Sequence, residues 1–228
     1  MPVVTDIDVL REVCAGRVPA AVARRARLVA LREEALALVR ERALVQAAAC
    51  WRSVPLDGAP DAAGGLWLEG RRIEAPRLLP ASGRLTGVVC AVATIGPALE
   101  AEVGALFAQG RRSLALALDG VGNEMLFALS RRVQDRMLAG ARRRGLCIAG
   151  ELRAGDPGLP LEAQPDVLAL AGAERIGVGL TGTLMMNPAK SASIVQGIGH
   201  ELPAQRWSRC DDCRSRPRCT LAAQTASA

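Results

Sequence analysis

The stretch Thr86 to Gly96, TGVVCAVATIG, constrains the fold more than any other part of the chain. It is almost continuously apolar and rich in β-branched residues, as is typical of a strand buried in the middle of a sheet. Pro97 follows at once, and proline is favoured at the first position of a helix. The sequence therefore predicts a central buried strand that leads directly into the helix PALEAEVGALFAQG.

The segments around this strand predict long helices and a few further strands. An amphipathic helix is expected from Ala20 to Ala49, and a second long helical region from Leu114 to Arg144. Gly120 and Gly122 lie inside the second region, where each costs about 1 kcal/mol relative to Ala. They indicate a break in the helix, or the close approach of a backbone or a ligand. The other expected elements are a short helix capped at Asp6-Ile7-Asp8, a loop over Ser53 to Gly65, a hairpin over Leu66 to Leu79 turning near Glu69-Gly70, a strand over Leu146 to Arg153, a helix over Leu161 to Ala171, and two strands over Arg175 to Gly199 hinged at Asn187-Pro188.

This order of elements is an α+β pattern rather than a regular alternation of strands and helices. The 228 residues fit one large domain or two small ones, with enough length to bury a substantial core. Aromatic residues make up only 2% of the chain, so aliphatic side chains must build that core. A nucleic-acid surface that stacks on bases is disfavoured for the same reason.

The net charge and the length of the apolar stretches limit the kinds of partner and the cellular location that we expect. Lys and Arg outnumber Asp and Glu by 29 to 23, a moderate excess that suits an anionic partner or ligand. No basic start followed by an apolar run is present, and no apolar stretch reaches the roughly 18 residues of a membrane span. We therefore expect a cytoplasmic protein that binds no membrane and keeps its cysteines reduced.

Four stretches carry motifs of one known family. They read RAGDPGLP (Arg153 to Pro160), LTGTLMMNPAKSAS (Leu180 to Ser193), VVCAVATIGPALEAEV (Val88 to Val103) and LDGVGNE (Leu118 to Glu124). The first resembles an R-P-A-P-G-Y-P loop, and the second resembles an L-T-E-S-x-x-M-x-P-x-x-S-V-S strand pair. Over roughly Leu66 to Gly199 the chain resembles the activation (reactivation) domain family of cobalamin-dependent methionine synthase, in its stand-alone form.

The resemblance implies a fold, a ligand and partners. The fold would be a single α+β domain over residues 1–205, with a bent antiparallel sheet, flanking long helices and an N-terminal helical part over 1–58; residues 206–228 would form a Cys/Arg-rich tail. The domain would bind S-adenosylmethionine and support reductive methylation of cob(II)alamin, a methyltransferase-type activity, with electrons from a reductase or electron-transfer protein. The sequence has one histidine, His200, and lacks the D-x-H-x-x-G loop that would supply a histidine to cobalamin. The corrinoid (vitamin B12) cofactor would therefore arrive on a partner, a corrinoid protein or a cobalamin-dependent methyltransferase.

The same resemblance selects candidate ligand-binding residues. Arg153 suits the α-carboxylate of S-adenosylmethionine because a guanidinium makes two parallel charge-assisted hydrogen bonds. An acidic residue near the helix glycines, Asp119 or Glu124, could face the ammonium or the sulfonium. The remaining candidates are the loop residues Gly155, Pro157 and Gly158, and the strand-pair residues Thr181, Met186, Ser191 and Ser193.

Each candidate also has a purely structural interpretation. Arg153 could pair with Glu151 or Asp156, the methionines could be ordinary strand packing, and the serines could lie on a solvent-facing edge. Leu159 stands where the family has Tyr, Ala154 where it has Pro, and Gly182 where it has Glu.

The tail RCDDCRSRPRC contains Cys210, Cys213 and Cys219, three soft thiolates on one short segment. Zinc and iron–sulfur clusters both normally take four protein ligands, so His200 or a distant cysteine would complete the set. An iron–sulfur cluster, zinc and adventitious cysteines all remain open. If the tail is structural or only relays electrons, the alternative function is a non-enzymatic adaptor that docks on a corrinoid protein. A zinc-ribbon-like nucleic-acid module is the least supported alternative.

Overall fold

The computed structural model describes residues 2–203. Its main sheet has five strands in the order β1-β2-β5-β9-β6, and every neighbouring pair is antiparallel. Two small hairpins, β3–β4 and β7–β8, lie outside it. The strands are β1 (Val3–Val4), β2 (Ala48–Pro55), β3 (Gly65–Leu68), β4 (Arg71–Glu74), β5 (Arg84–Thr94), β6 (Cys147–Leu152), β7 (Gly179–Leu180), β8 (Met186–Asn187) and β9 (Ser191–His200).

Helices accompany the sheet, so the α+β prediction is confirmed. The longest helix is α5, and it packs against α1, α3 and α4. In chain order the helices are α1 (Val9–Ala15), α2 (Ala20–Ala23), α3 (Ala26–Glu41), α4 (Ala98–Ala108), α5 (Arg112–Arg142) and α6 (Gln164–Ala171).

The central strand β5 explains why its sequence is continuously apolar. Alternate side chains of a strand point to opposite faces of the sheet. On one face, Val89, Ala91 and Ala93 join the core formed with the long helices. On the other face, Val88, Cys90 and Val92 join a second core formed with the β3–β4 hairpin and α6. Because both faces are covered, no position between Val88 and Ala93 has a solvent-facing side, and the predicted central strand is confirmed.

The prediction of one helix from Ala20 to Ala49 is wrong at both ends of α3. Helical residues stop at Ala23, resume at Ala26 and end at Glu41. Ala43 then adopts a left-handed backbone with φ of 50°, which a continuing helix does not allow. Ala48–Pro55 pairs with β5 along its whole length, so part of the expected N-terminal helical region is strand.

The two helix glycines differ from the prediction. Helix α5 is continuous through both, so the expected break is absent. At Gly122 side chains come close rather than a backbone, since a Cβ atom there would lie 2.8 Å from Leu99 Cδ2 and 3.5 Å from Lys190 Cε. The Lys190 ammonium in turn contacts Asp119 Oδ1 at 2.6 Å and Asn123 Oδ1 at 2.7 Å, which ties the loop before β9 to α5.

Candidate functional site

A cleft of about 630 Å³ lies where the α1–α2 connection, the middle of α5 and the end of β6 meet. Glu124, on α5, and Arg153, just after β6, both line it. The fold thus brings together two residues that are far apart in the sequence and that were predicted to bind oppositely charged groups of one ligand. The other lining residues are Glu12, Val13, Gly16, Arg17, Pro19, Phe127, Ala128, Ser130, Arg131, Gln134 and Glu151.

The lining carries both signs of charge in equal number. Its three carboxylates belong to Glu12, Glu124 and Glu151, and its three guanidiniums belong to Arg17, Arg131 and Arg153. Arg153 Nη2 donates to Glu151 Oε1 at 3.1 Å, so the predicted pairing of these two residues is present in the structure. Arg17 and Arg131 have no ion-pair partner among residues 2–203. A cleft of this composition is suited to a zwitterion with separated charges.

A largely buried ion pair holds Glu124 at the cleft wall. Arg32, on α3, is only 7% exposed, and its Nη2 contacts Glu124 Oε2 at 2.6 Å. The same Nη2 also donates to the carbonyl oxygen of Val13 at 3.3 Å, at the end of α1. One guanidinium therefore connects α1, α3 and α5 around the cleft, and it fixes the direction in which the Glu124 carboxylate points.

Glu12 is held in a similar way. Arg132 Nε donates to Glu12 Oε1 at 2.5 Å, and this hydrogen bond raises the pKa of Arg132 above its ordinary value. The two carboxylates on the α1 and α5 sides of the cleft are thus both anchored by arginines from outside it.

Ser130 is a buried polar residue on the wall of the cleft. Its side chain is 2% exposed, it lines the cleft, and its hydroxyl has no hydrogen-bond partner among the described residues. A buried hydroxyl without a hydrogen-bond partner lowers the stability of the fold by roughly 1–3 kcal/mol, so such groups in folded proteins usually bind water or a ligand. Phe127, one turn earlier on α5, is half exposed and offers an aromatic face to the same cleft.

The loop after Arg153 is closed by its own hydrogen bonds. The Arg153 backbone N–H donates to Asp156 Oδ2 at 2.9 Å, and the Gly155 N–H donates to the Leu159 carbonyl at 2.9 Å. Gly155 and Gly158 have φ of 92° and 90°, a region that favours glycine. Pro157 lies between them. Leu159, at the position of the family tyrosine, is fully buried in the second core, so it supplies packing rather than a ring at the surface.

The strand-pair candidates lie apart from the cleft. Thr181 is in the exposed β7–β8 turn, where its hydroxyl accepts from the Met185 N–H at 3.2 Å. Met186 is partly buried against the second core. Ser191 Oγ donates to the Pro188 carbonyl at 2.7 Å, and Ser193 Oγ donates to Gln164 Oε1 at 3.1 Å. Both serines are buried, so neither lies on a solvent-facing edge.

Of the four predicted metal ligands, His200 alone lies in the described part of the chain. His200 is exposed at the end of β9, and residues 2–203 contain no group of three or more His, Cys, Asp or Glu side chains able to hold a metal ion. Cys210, Cys213 and Cys219 lie outside the described residues. Within those residues no helix is both long and apolar enough to cross a membrane.

Comparison with known proteins supports the fold. No family model and no curated protein sequence matches the chain. The crystal structure of the MetH reactivation domain bound to AdoHcy matches it with a TM-score of 0.59 at 12% sequence identity, over 91% of this chain and 76% of that one. The two folds are the same. At this identity the match carries the fold and not the site.

Sequence reasoning found part of the cleft lining and missed the rest. Glu124 and Arg153 were identified, whereas Glu12, Arg17, Phe127, Ser130 and Arg131 were not. Phe127, Ser130 and Arg131 lie three to seven residues after Glu124 on the same helix. Helical spacing from Glu124 could have suggested Phe127 and Arg131, because residues three, four and seven apart share a face. No sequence signal marks Ser130, since it stands out only because its hydroxyl has no hydrogen-bond partner in the described part of the chain.

Proposed function

We propose that this cleft binds S-adenosylmethionine and that the protein serves in the reactivation of a corrinoid protein of a cobalamin-dependent methyltransferase. The observation that carries the proposal is that Glu124 and Arg153 line one cleft that also holds balanced charges. The solved MetH reactivation domain, which shares the fold, is bound to AdoHcy, the product that remains when S-adenosylmethionine gives up its methyl group.

The lining matches the chemical groups of this ligand. Arg153, Arg17 and Arg131 offer guanidiniums to the α-carboxylate. Glu12, Glu124 and Glu151 offer carboxylates to the α-ammonium and the sulfonium. Phe127 offers an aromatic face to the adenine, and the Ser130 hydroxyl offers a donor and acceptor inside the cleft. The volume of about 630 Å³ lies within the range of small-molecule sites.

The residues of the cleft act by binding and orientation. The ligand would supply an electrophilic methyl group, and the chain would hold its charged end so that this group is presented to the partner's corrinoid. Holding a reactant in one orientation supplies a large part of a rate enhancement without any protein acid or base. This protein would accordingly need a corrinoid protein and an electron donor as partners.

Titration calorimetry with S-adenosylmethionine and with AdoHcy tests the proposal. We expect saturable binding of both by the parent protein, and a loss of roughly tenfold or more for Arg153→Ala, because a charge-assisted pair is removed. Arg24→Ala is the matched control, since Arg24 is exposed at the end of α2 and does not line the cleft. If the parent protein binds neither compound, or if both variants bind equally well, the ligand assignment fails.

We further propose that Cys210, Cys213 and Cys219 hold an iron–sulfur cluster or zinc. The spacing of the three cysteines and the neighbouring arginines support this, because cationic side chains stabilise thiolates. Iron, zinc and acid-labile sulfide analysis of anaerobically prepared protein distinguishes the two metals. The triple serine variant is the control. Metal content that is zero in the parent, or unchanged in the variant, rules the proposal out.

A second candidate function is a non-enzymatic adaptor that docks on a corrinoid protein. Two observations favour it: Leu159 is buried, and the Arg153 guanidinium is already bonded to Glu151. An adaptor would bind a corrinoid protein without binding S-adenosylmethionine. The calorimetric titration therefore separates it from the first proposal.

A further inference from the structure

A second cleft, of about 410 Å³, lies against the opposite side of α5, near its C-terminal end. It is formed between the helix and strand β2. With 100° of rotation per residue, the positions of α5 that line it face away from those that line the first cleft. The lining residues are Pro2, Trp51, Arg52, Ser53, Val89, Arg136, Met137, Gly140, Arg143 and Arg144.

This second cleft is strongly basic. Four of its lining residues are arginines and none is acidic. Arg136 is paired with Asp6 through two hydrogen bonds of 2.9 and 3.1 Å, and Arg52 is paired with Glu69. Arg143 and Arg144 have no acidic partner among residues 2–203. Two uncompensated guanidiniums therefore converge on one concave surface.

The partial negative charge at the C-terminus of α5 is too small to offset the positive charge of both arginines. The C-terminus of a helix carries roughly half a negative charge, which cations nearby offset. Arg142, Arg143 and Arg144 together bring several times that charge to this end. The positive potential in the cleft therefore survives the helix dipole.

The shape and polarity of the cleft further limit which ligands could bind there. Gly140 lies between Arg136 and Arg143 on the helix face, and a Cβ there would have open space, with only Arg143 Nη2 near at 3.8 Å. Val89 and Met137 are buried and form an apolar floor, and Trp51 packs against the same core. Ser53 Oγ accepts from Arg144 Nη2 at 3.0 Å, which leaves its hydroxyl hydrogen available to an anion.

We propose that this cleft binds a phosphate-bearing anion, with Arg143, Arg144 and Ser53 holding a di- or triphosphate group. Guanidiniums bind phosphate oxygens through paired, charge-assisted hydrogen bonds, so two of them suit a group with several oxygens. The volume exceeds what a phosphate group needs, and Trp51, in the lining, offers an aromatic face to a flat organic body such as a nucleoside. This site is independent of the proposed S-adenosylmethionine site and does not rest on it.

Titration calorimetry with inorganic pyrophosphate, ADP and adenosine tests this proposal. Pyrophosphate and ADP should bind, more weakly as salt is raised, and adenosine should not bind at this site. In Arg143→Ala/Arg144→Ala the affinity for both anions should fall by roughly tenfold or more. Tighter binding of ADP than of pyrophosphate identifies a nucleotide as the source of the phosphate, and equal binding identifies the free anion.

Matched variants separate this site from general charge and from the first cleft. Arg24→Ala/Arg112→Ala removes the same charge away from the second cleft and should leave anion binding unchanged. Arg143→Lys/Arg144→Lys keeps the charge but loses the paired hydrogen bonds, and should bind with intermediate affinity. Arg153→Ala should have no effect on pyrophosphate binding, even if S-adenosylmethionine binding is lost.

Three results would overturn the proposal: absence of pyrophosphate and ADP binding, equal weakening by the two double alanine variants, or equal loss from Arg153→Ala. Far-ultraviolet circular dichroism of each variant verifies that it is folded. Unfolding is not expected, because both arginines are exposed at a helix end.

Discussion

At the scale of single residues, the proposed site depends on a few groups whose partners are fixed. Arg32 is the clearest case, because it is nearly buried and its guanidinium serves Glu124 and the Val13 carbonyl together. Ser130 is the opposite case, because its hydroxyl is buried and serves nothing among the described residues. The first residue maintains the cleft, and the second is available to whatever fills it.

The variant Arg32→Met should destabilise the fold by about 1–3 kcal/mol, because it leaves a partly buried carboxylate without its partner. Urea denaturation monitored by circular dichroism measures the change. The double variant Arg32→Met/Glu124→Gln removes the stranded charge and should recover part of the loss. If the double variant is less stable than the single one, the ion pair is not the cause.

The variant Ser130→Ala should bind S-adenosylmethionine more weakly by roughly three- to tenfold, which corresponds to one lost hydrogen bond. Its free energy of unfolding should stay the same or rise, because the hydroxyl it removes has no hydrogen-bond partner among residues 2–203. Calorimetry and urea denaturation on the same sample check both parts. Lower stability with unchanged affinity would show that Ser130 has a structural role.

The cysteines of the described residues should differ sharply in reactivity. Burial raises the pKa of Cys50 to about 11 and that of Cys90 to about 12, whereas Cys14 and Cys147 are exposed. In a variant with serine at 210, 213 and 219, an aromatic disulfide reagent at neutral pH should titrate the two exposed thiols quickly. The other two should react only in denaturant.

The raised pKa values of Cys50 and Cys90 also predict a pH dependence of stability. The free energy of unfolding that the buried neutral thiols contribute is fully present below about pH 9, and it should be lost as the pH rises from there through the folded-state pKa values.

At the scale of elements, the two glycines of α5 illustrate how differently one residue type can be used. Gly120 faces open space, and Gly122 is buried against Leu99 and Lys190. The sequence shows only two glycines in a helix. The structure shows that one of them packs closely against a side chain of α4.

These glycines make a matched pair for a test. Gly120→Ala should stabilise the protein by about 0.5–1 kcal/mol, because alanine is the better helix former and nothing obstructs its methyl group. Gly122→Ala should be about 1–3 kcal/mol less stable than Gly120→Ala, because its methyl group overlaps the Leu99 side chain. Thermal and urea unfolding of both variants measure the difference. Equal stability would mean that Leu99 moves aside freely.

The elements that could be predicted from the sequence are those determined by nearby residues, and those determined by distant residues could not be predicted. The β3–β4 hairpin, α1 with its Asp8 cap, and the central strand β5 were predictable because turn residues, a capping carboxylate and an apolar run act locally. Strand β2, AACWRSVP, was not predicted: its two alanines were placed at the end of the expected helix, where alanine is favoured, and its last three residues were placed in the expected loop. Its pairing with β5 decides the matter, and that partner is about forty residues away.

The same division holds for the candidate site. Glu124 and Arg153 were identified through a family resemblance, and only the fold shows that they line one cleft. Ser191 and Ser193 have the alternation expected of one strand face, but their hydroxyls bond to neighbouring elements. Spacing gives the face of a strand, and it does not tell whether a helix covers that face.

At the scale of the whole molecule, two surface aspartates, Asp6 (exposed) and Asp61 (partly exposed), connect peripheral segments to the rest of the domain. Asp6 binds Arg136 on α5, and Asp61 accepts from the Ala63 and Gly65 N–H groups and from Arg72. The Arg136 hydrogen bonds lower the pKa of Asp6, and the Gly65 N–H and Arg72 lower that of Asp61. Both segments should therefore loosen in acid.

The sign of this effect follows from the lowered values. An aspartate with a depressed folded-state pKa contributes stability above its unfolded pKa of about 3.9, and that stability is lost as pH falls through the folded value. Urea midpoints measured from neutral pH down into this range should decline. In Asp6→Asn/Asp61→Asn the decline should be shallower and the neutral-pH midpoint lower. An identical acid profile would show that other carboxylates control it.

Helix α5 also separates the two proposed binding clefts, which lie on opposite faces of it. The α5 residues that line the two clefts point to opposite faces of the helix, although the nearest of them, Gln134 and Arg136, are only two residues apart. The body of the helix therefore lies between the two clefts, so both can be filled at once. A divalent compound joining the two ligands would have to pass around the helix, and a linker too short to do so would gain no avidity over either ligand alone.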